Sequence, residues 1–82
     1  MVEIEYSSRA REWLENAEPD VQEQVLDRLE RAAEFPDHFL TRLTNSTLYK
    51  LRAGDYRAIV DWRREEDVLF VRRIGHRRNI YE

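Results

Sequence analysis

The chain predicts an α+β domain in the order β-α-α-β-β-β, with a two-helix hairpin packed on one face of a mostly antiparallel four-stranded sheet. Three observations carry that expectation. Apolar residues recur at helical spacing from Ala10 to Ala33 and at strand spacing from Leu48 onward. No repeat, low-complexity tract or linker separates the two regimes, so residues 1–82 read as one domain. Of the 82 residues, 41% are hydrophobic, which suffices for a single modest core.

Val2–Tyr6 alternates apolar and acidic residues, as a strand with one buried face does. Ser7 or Ser8 then offers a side-chain oxygen to cap a helix. Ala10, Trp13, Leu14 and Ala17 form one apolar stripe at i, i+3, i+4 and i+7. Pro19 breaks that helix, and its fixed φ suits the first turn of the next. Val21, Val25, Leu26, Leu29 and Ala32-Ala33 mark the second apolar stripe. Leu48–Arg52, Tyr56–Trp62 and Val68–Ile74 are strands rich in aromatic and β-branched residues, with turns at Ala53-Gly54-Asp55 and Arg63–Asp67. Tyr56, Ala58, Val60 and Trp62 share one face of their strand; Arg57, Ile59 and Asp61 take the other. Only the first strand needs a long-range partner, which makes a two-layer sandwich the economical solution.

Charge divides the chain. Residues 1–47 carry eleven acids against five bases, and residues 48–82 carry nine bases against six acids, within a net charge of −3. A positive lobe on an acidic protein is the form expected of something that grips phosphates. Cysteine is absent, which excludes disulfides, thiolate metal sites and cysteine nucleophiles. No apolar run approaches the length of a spanning helix and the N-terminus lacks the pattern of a signal peptide, so the expectation is a cytoplasmic protein with no membrane partner.

Two basic motifs frame the positive part: Tyr49-Lys50-Leu51-Arg52-Ala53-Gly54-Asp55-Tyr56-Arg57 and Arg72-Arg73-Ile74-Gly75-His76-Arg77-Arg78-Asn79-Ile80-Tyr81. Alternation puts Lys50 and Arg52 on one side of their strand, and Gly75 would permit a sharp turn presenting His76, Arg77 and Arg78. In an antiparallel meander these groups can converge on one end of the sheet. Guanidiniums there would hold phosphate in a bidentate way, and Lys50 would act as a point charge. Positive groups aimed at a pentacoordinate phosphate also stabilise its transition state. No metal site is visible, because His38 and His76 lack clustered carboxylate partners. A nuclease without metal would cut RNA through its own 2′-hydroxyl, with side chains supplying acid, base and charge. Histidine changes charge near neutrality, whereas tyrosine needs crowded arginines to become a base. The plainer alternatives stand beside these. A histidine among arginines is commonly a surface residue, strand-end arginines are commonly solubilising, and Tyr49, Tyr56 and Trp62 suit a core as well as a stacking platform.

At these two motifs the sequence resembles the RelE/ParE superfamily of type II toxins, and its RelE-like branch in particular. The hairpin Y-K-L-R-A-G-D-Y-R-A-I-V resembles the family's central motif, V-R-R-I-G-H-R-R-N-I-Y its C-terminal ending, and the strand, two helices and Pro19 break its opening. The resemblance implies a ribosome-dependent endoribonuclease, an mRNA interferase that cuts messenger in the A site without metal or cofactor and so inhibits translation. It assigns catalytic roles to Lys50, Arg57, Arg77 and Tyr81, with Tyr81 or His76 as base. Arg52, Arg73, His76 and Arg78 are expected to contact RNA. It also implies a cognate antitoxin in a toxin–antitoxin hetero-oligomer, with ribosome and mRNA as further partners. Two other functions share the fold, a ParE-like gyrase-inhibiting toxin and a non-catalytic antitoxin-binding module.

Overall fold

The computed structural model describes residues 2–80, and within them eight elements follow one another with short connections. They are β1 (Glu3–Tyr6), α1 (Ser8–Asn16), α2 (Pro19–Glu34), α3 (Pro36–Phe39), β2 (Leu40–Arg42), β3 (Tyr49–Ala53), β4 (Tyr56–Arg63) and β5 (Val68–His76). The sheet runs β1-β5-β4-β3-β2. Strand β1 lies parallel to β5, and the other pairs are antiparallel. The α+β class, the helix pair and the meander are as the sequence predicts. The sheet has one strand more, because β2 pairs with the outer edge of β3 through Leu40↔Leu51 and Arg42↔Tyr49. Three residues are too few to show a period, and it is the backbone groups along the edge of β3 that recruit them.

Ser7 is the cap of α1, its Oγ accepting from the Ala10 N–H at 3.0 Å. Pro19 opens α2, as its missing N–H and fixed φ favour. The Gln22 side chain then donates to the Leu14 carbonyl at 2.8 Å, tying the end of α1 to the start of α2. Ala10 and Leu14 of α1 and Val25, Leu29, Ala32 and Ala33 of α2 are buried against the sheet. From the sheet, Leu51, Ala53, Ala58, Val60, Leu69, Val71 and Ile74 complete that core. Both helices thus lie on one face, and among the described residues no helix covers the opposite, bare face. It carries a small separate apolar cluster of Leu43, Ile59 and Ile80, with Leu48 packed against it.

Strict alternation cannot put both Val71 and Ile74 in the core, because an odd spacing sends them to opposite faces. A β-bulge resolves this. Ile59 pairs with Arg73 and Val60 with Val71, leaving Arg72 as the extra residue. The Arg72 carbonyl accepts from Ser7 Oγ at 2.7 Å, so the residue that caps α1 also satisfies the bulge. Beyond the bulge the phase is reset, and Arg73 stands beside Ile59 and Lys50 on the bare face.

Candidate functional site

The hairpin between β3 and β4 turns in two residues, Gly54 and Asp55, since Ala53 pairs with Tyr56. Gly54 has φ +61°, the conformation that a two-residue hairpin with glycine at its first position requires. Tyr49, Leu51 and Ala53 face the helices, so Lys50 and Arg52 point to the bare face, as alternation predicts. Arg57 stands directly opposite Arg52. Its Nη1 donates to the carbonyls of Gly54 and Tyr56, each at 2.9 Å, which folds the guanidinium back against the turn.

The chain after β5 crosses this face. The Arg77 N–H donates to the Asp55 carbonyl at 2.8 Å and the Asn79 N–H to the His76 carbonyl at 2.8 Å. Ile80 then packs on the sheet with 9% of its surface exposed. Gly75 does not make the sharp turn that the sequence suggests. It is a residue of β5 opposite Arg57, and the turn falls at residues 77–79. What Gly75 supplies is room, since a Cβ there would lie 3.0 Å from Ile80 Cγ1.

Lys50, Arg52, Arg57, Arg77 and Arg78 together line a cleft of about 480 Å³, floored by Ile59 and Ile80. Three separate stretches of sequence supply these five cations, and none of the described lining residues is a carboxylate. A concave, cation-lined surface with an apolar floor suits a phosphodiester and its flanking sugar and base. The Arg77 Nε lies 4.0 Å from Asp55 Oδ1 in an exposed pair that adds little to stability and leaves the guanidinium able to turn toward a ligand.

The other expected site residues lie elsewhere. Arg73 is on the bare face by register but does not line the cleft. His76 pairs with Tyr56 across the strands, and its ring meets the Tyr56 ring edge-on at 5.6 Å, on the side where Tyr56 contacts Trp13 of α1. The His76 Nδ1 accepts from the Arg78 N–H at 3.2 Å, so this histidine shapes the turn from behind the cleft. Tyr81 lies outside the described residues. Ile59 and Ile80 are the lining residues that the charge pattern does not find. The signal available was a β-branched residue on the outward side of β4, which needs a cover. Among the described residues no three His, Cys, Asp or Glu side chains are grouped to hold a metal, and no helix is long and apolar enough to cross a membrane.

A sheet backed by helices on one face is also the fold of known toxins. The chain is similar to a chain of the intact Escherichia coli RelBE toxin–antitoxin complex, with 25% identity, coverage of 93% of this chain and 96% of that one, and a TM-score of 0.79. It is similar to the isolated E. coli RelE toxin, at 25% identity over 93% of this chain and 84% of that one, with a TM-score of 0.75. The fold is shared as well with the RelBE2 toxin–antitoxin complex of Mycobacterium tuberculosis, at 19% identity, 93% and 98% coverage and a TM-score of 0.81. No curated protein sequence matches the chain. The sequence pattern of the ParE toxin of type II toxin–antitoxin systems, parDE, matches residues 4–81. The chain therefore belongs to the ParE toxin family, within the RelE/ParE superfamily of type II toxin–antitoxin toxins.

Proposed function

We propose that this toxin is a metal-independent endoribonuclease that cuts mRNA in the ribosomal A site and so stops translation. The observation that carries the reading is the convergence of Lys50, Arg52, Arg57, Arg77 and Arg78 on one cleft of the bare sheet face. The 25% identity to E. coli RelE supports it. In this reading the RNA 2′-hydroxyl loses its proton and its oxygen attacks the adjacent phosphorus. The P–O5′ bond breaks, the leaving oxygen takes up a proton, and the products are a 2′,3′-cyclic phosphate and a 5′-hydroxyl. Lys50 holds the RNA, Arg57 neutralises charge gathering on the scissile phosphate, and Arg77 serves the leaving 5′-oxygen. Arg52 and Arg78 grip neighbouring phosphates, Arg73 extends that contact, and Tyr81 is the base or stacks on a nucleobase. A cognate antitoxin partner is part of the proposal. Support comes from the similar chains of toxin–antitoxin complexes and from a cation-lined cleft that an acidic segment folding on binding would cover.

The test is cleavage of a programmed messenger by purified protein, with and without ribosomes, mapping both ends of each cut. Cuts at the A site that require ribosomes and leave cyclic-phosphate and 5′-hydroxyl ends are the expected result. A folded protein that leaves messenger intact on ribosomes sinks the reading. The match to the ParE pattern favours gyrase inhibition as the second reading. Loss of gyrase supercoiling with transcripts intact would establish it. Normal growth on expression without antitoxin, with antitoxin binding retained, would instead mark a non-catalytic binding module.

A further inference from the structure

We propose that Ile80 is the positioning residue of the cleft: seated on the bare backbone of Gly75, it holds Arg77 and Arg78 where they can meet phosphate. This rests on the reading of the cleft as an RNA site. Ile80 is held from three directions. Below it, a Cβ on Gly75 would lie 3.0 Å from its Cγ1 and 3.2 Å from its Cδ1. The φ of Gly75 is not in the left-handed region, so the contact and not the backbone conformation calls for glycine. Beside it stand Ile59 of β4 and Leu43 of the loop between β2 and β3, with Leu48 packed against the group. That loop is itself closed by the Leu43 N–H donating to the Leu48 carbonyl at 2.9 Å.

At the other end of the segment the Arg77 N–H is bonded to the Asp55 carbonyl at 2.8 Å, and the turn is closed by the Asn79 N–H on the His76 carbonyl at 2.8 Å. Arg77 and Arg78 therefore lie between two fixed points, the β3–β4 hairpin and the Ile80 seat. Adjacent guanidiniums repel one another, and each long side chain loses rotamer freedom when it is ordered. An anchored backbone meets part of that cost before the ligand arrives, so less of it falls on binding. The cluster is separate from the main core, so truncating Ile80 releases the segment without dissolving the sheet.

Two measurements on Ile80→Ala, Ile80→Val and the double variant Arg77→Ala/Arg78→Ala test this. The first is amide hydrogen exchange, with the amides of β4 and β5 as the internal control. Ile80→Ala should speed exchange at Arg77 and Asn79 by about tenfold or more while the control amides hold, and Ile80→Val should restore slow exchange. The second is the salt dependence of binding to single-stranded oligouridylate. Ile80→Ala should flatten the log–log slope by about 1.4, as the double arginine variant does, although it removes no charge. Unchanged exchange at Arg77 and Asn79 overturns the anchor, whatever the RNA binding does. Faster exchange with the full wild-type slope also overturns it, since the released arginines would not be those that meet phosphate. A wild type without salt-dependent RNA binding overturns the RNA reading and the role of Ile80 in it, and the exchange data tell this apart from a failed anchor.

Discussion

Arg57 shows how one residue can serve a turn and a site at once. Its Nη1 donates to the Gly54 and Tyr56 carbonyls, and the same side chain lines the cleft. The backbone bonds hold Nη1 against the turn, and in the proposed reaction this places its charge before the scissile phosphate enters. Arg57→Ala and Arg77→Ala should each lower messenger cleavage by about 10²–10³, with thermal melting showing a stability change of only about 0.5 kcal/mol. Full cleavage by both variants would remove them from the chemistry. Gly54 carries a different constraint. Its φ of +61° disfavours any side chain, and a Cβ there would meet the Nε2 end of the Gln24 side chain of α2, which must swing aside. Gly54→Ala should cost about 1–3 kcal/mol in urea denaturation. A variant as stable as the wild type would show that turn and helix can yield together.

Among elements, the junction of β1, α1 and β5 turns on Ser7. Its hydroxyl caps α1 and satisfies the carbonyl of the Arg72 bulge, while its N–H donates to Val71. Ser7→Ala should cost about 1–2 kcal/mol and speed hydrogen exchange around the bulge. If stability falls and the bulge amides stay protected, the cap alone accounts for the loss. The packing of β1 under α2 has its own signature at high pH. Burial raises the Tyr6 pKa above the ordinary tyrosine value, and the carboxylate of Glu30 on α2 raises it further. The folded chain then keeps the phenolic proton where the unfolded chain has lost it. The stabilisation is complete below about pH 10 and is lost as pH rises through the folded-state pKa. Denaturant titrations across that range should show stability falling more steeply in the wild type than in Tyr6→Phe. Equal slopes would show that Tyr6 ionises as freely folded as unfolded.

Across the whole molecule, charge follows the layers. The exposed side of α2 presents Asp20, Glu23, Asp27 and Glu30, whereas the cleft on the opposite side of the sheet gathers five cations. Such a dipolar arrangement orients an approaching polyanion toward the bare face. If all five cleft cations met phosphates, the log–log salt slope for single-stranded RNA would be about −3.5. Arg52→Gln should flatten it by about 0.7, measured by filter binding over a range of salt. A slope that ignores Arg52 would place the RNA elsewhere on the surface.

Much of this was legible in the residues. The two stripes, a serine cap at Ser7 or Ser8, the break at Pro19, the Gly54 hairpin and the shared side of Lys50 and Arg52 rest on local rules of spacing and backbone conformation. Local rules hold wherever one element decides the outcome. Four features were beyond them. Strand β2 exists only because β3 offers it an edge. The bulge at Arg72 is a relation between two strands, and it decides which side Arg73 takes. The side on which His76 lies, and the fold of Ile80 onto Gly75, depend on where β5 ends relative to β4. Sequence alone therefore determined which residues carry the charge and which segments hold them. Tertiary structure decided which charges meet, because convergence depends on register and chain crossing, and no single segment contains either.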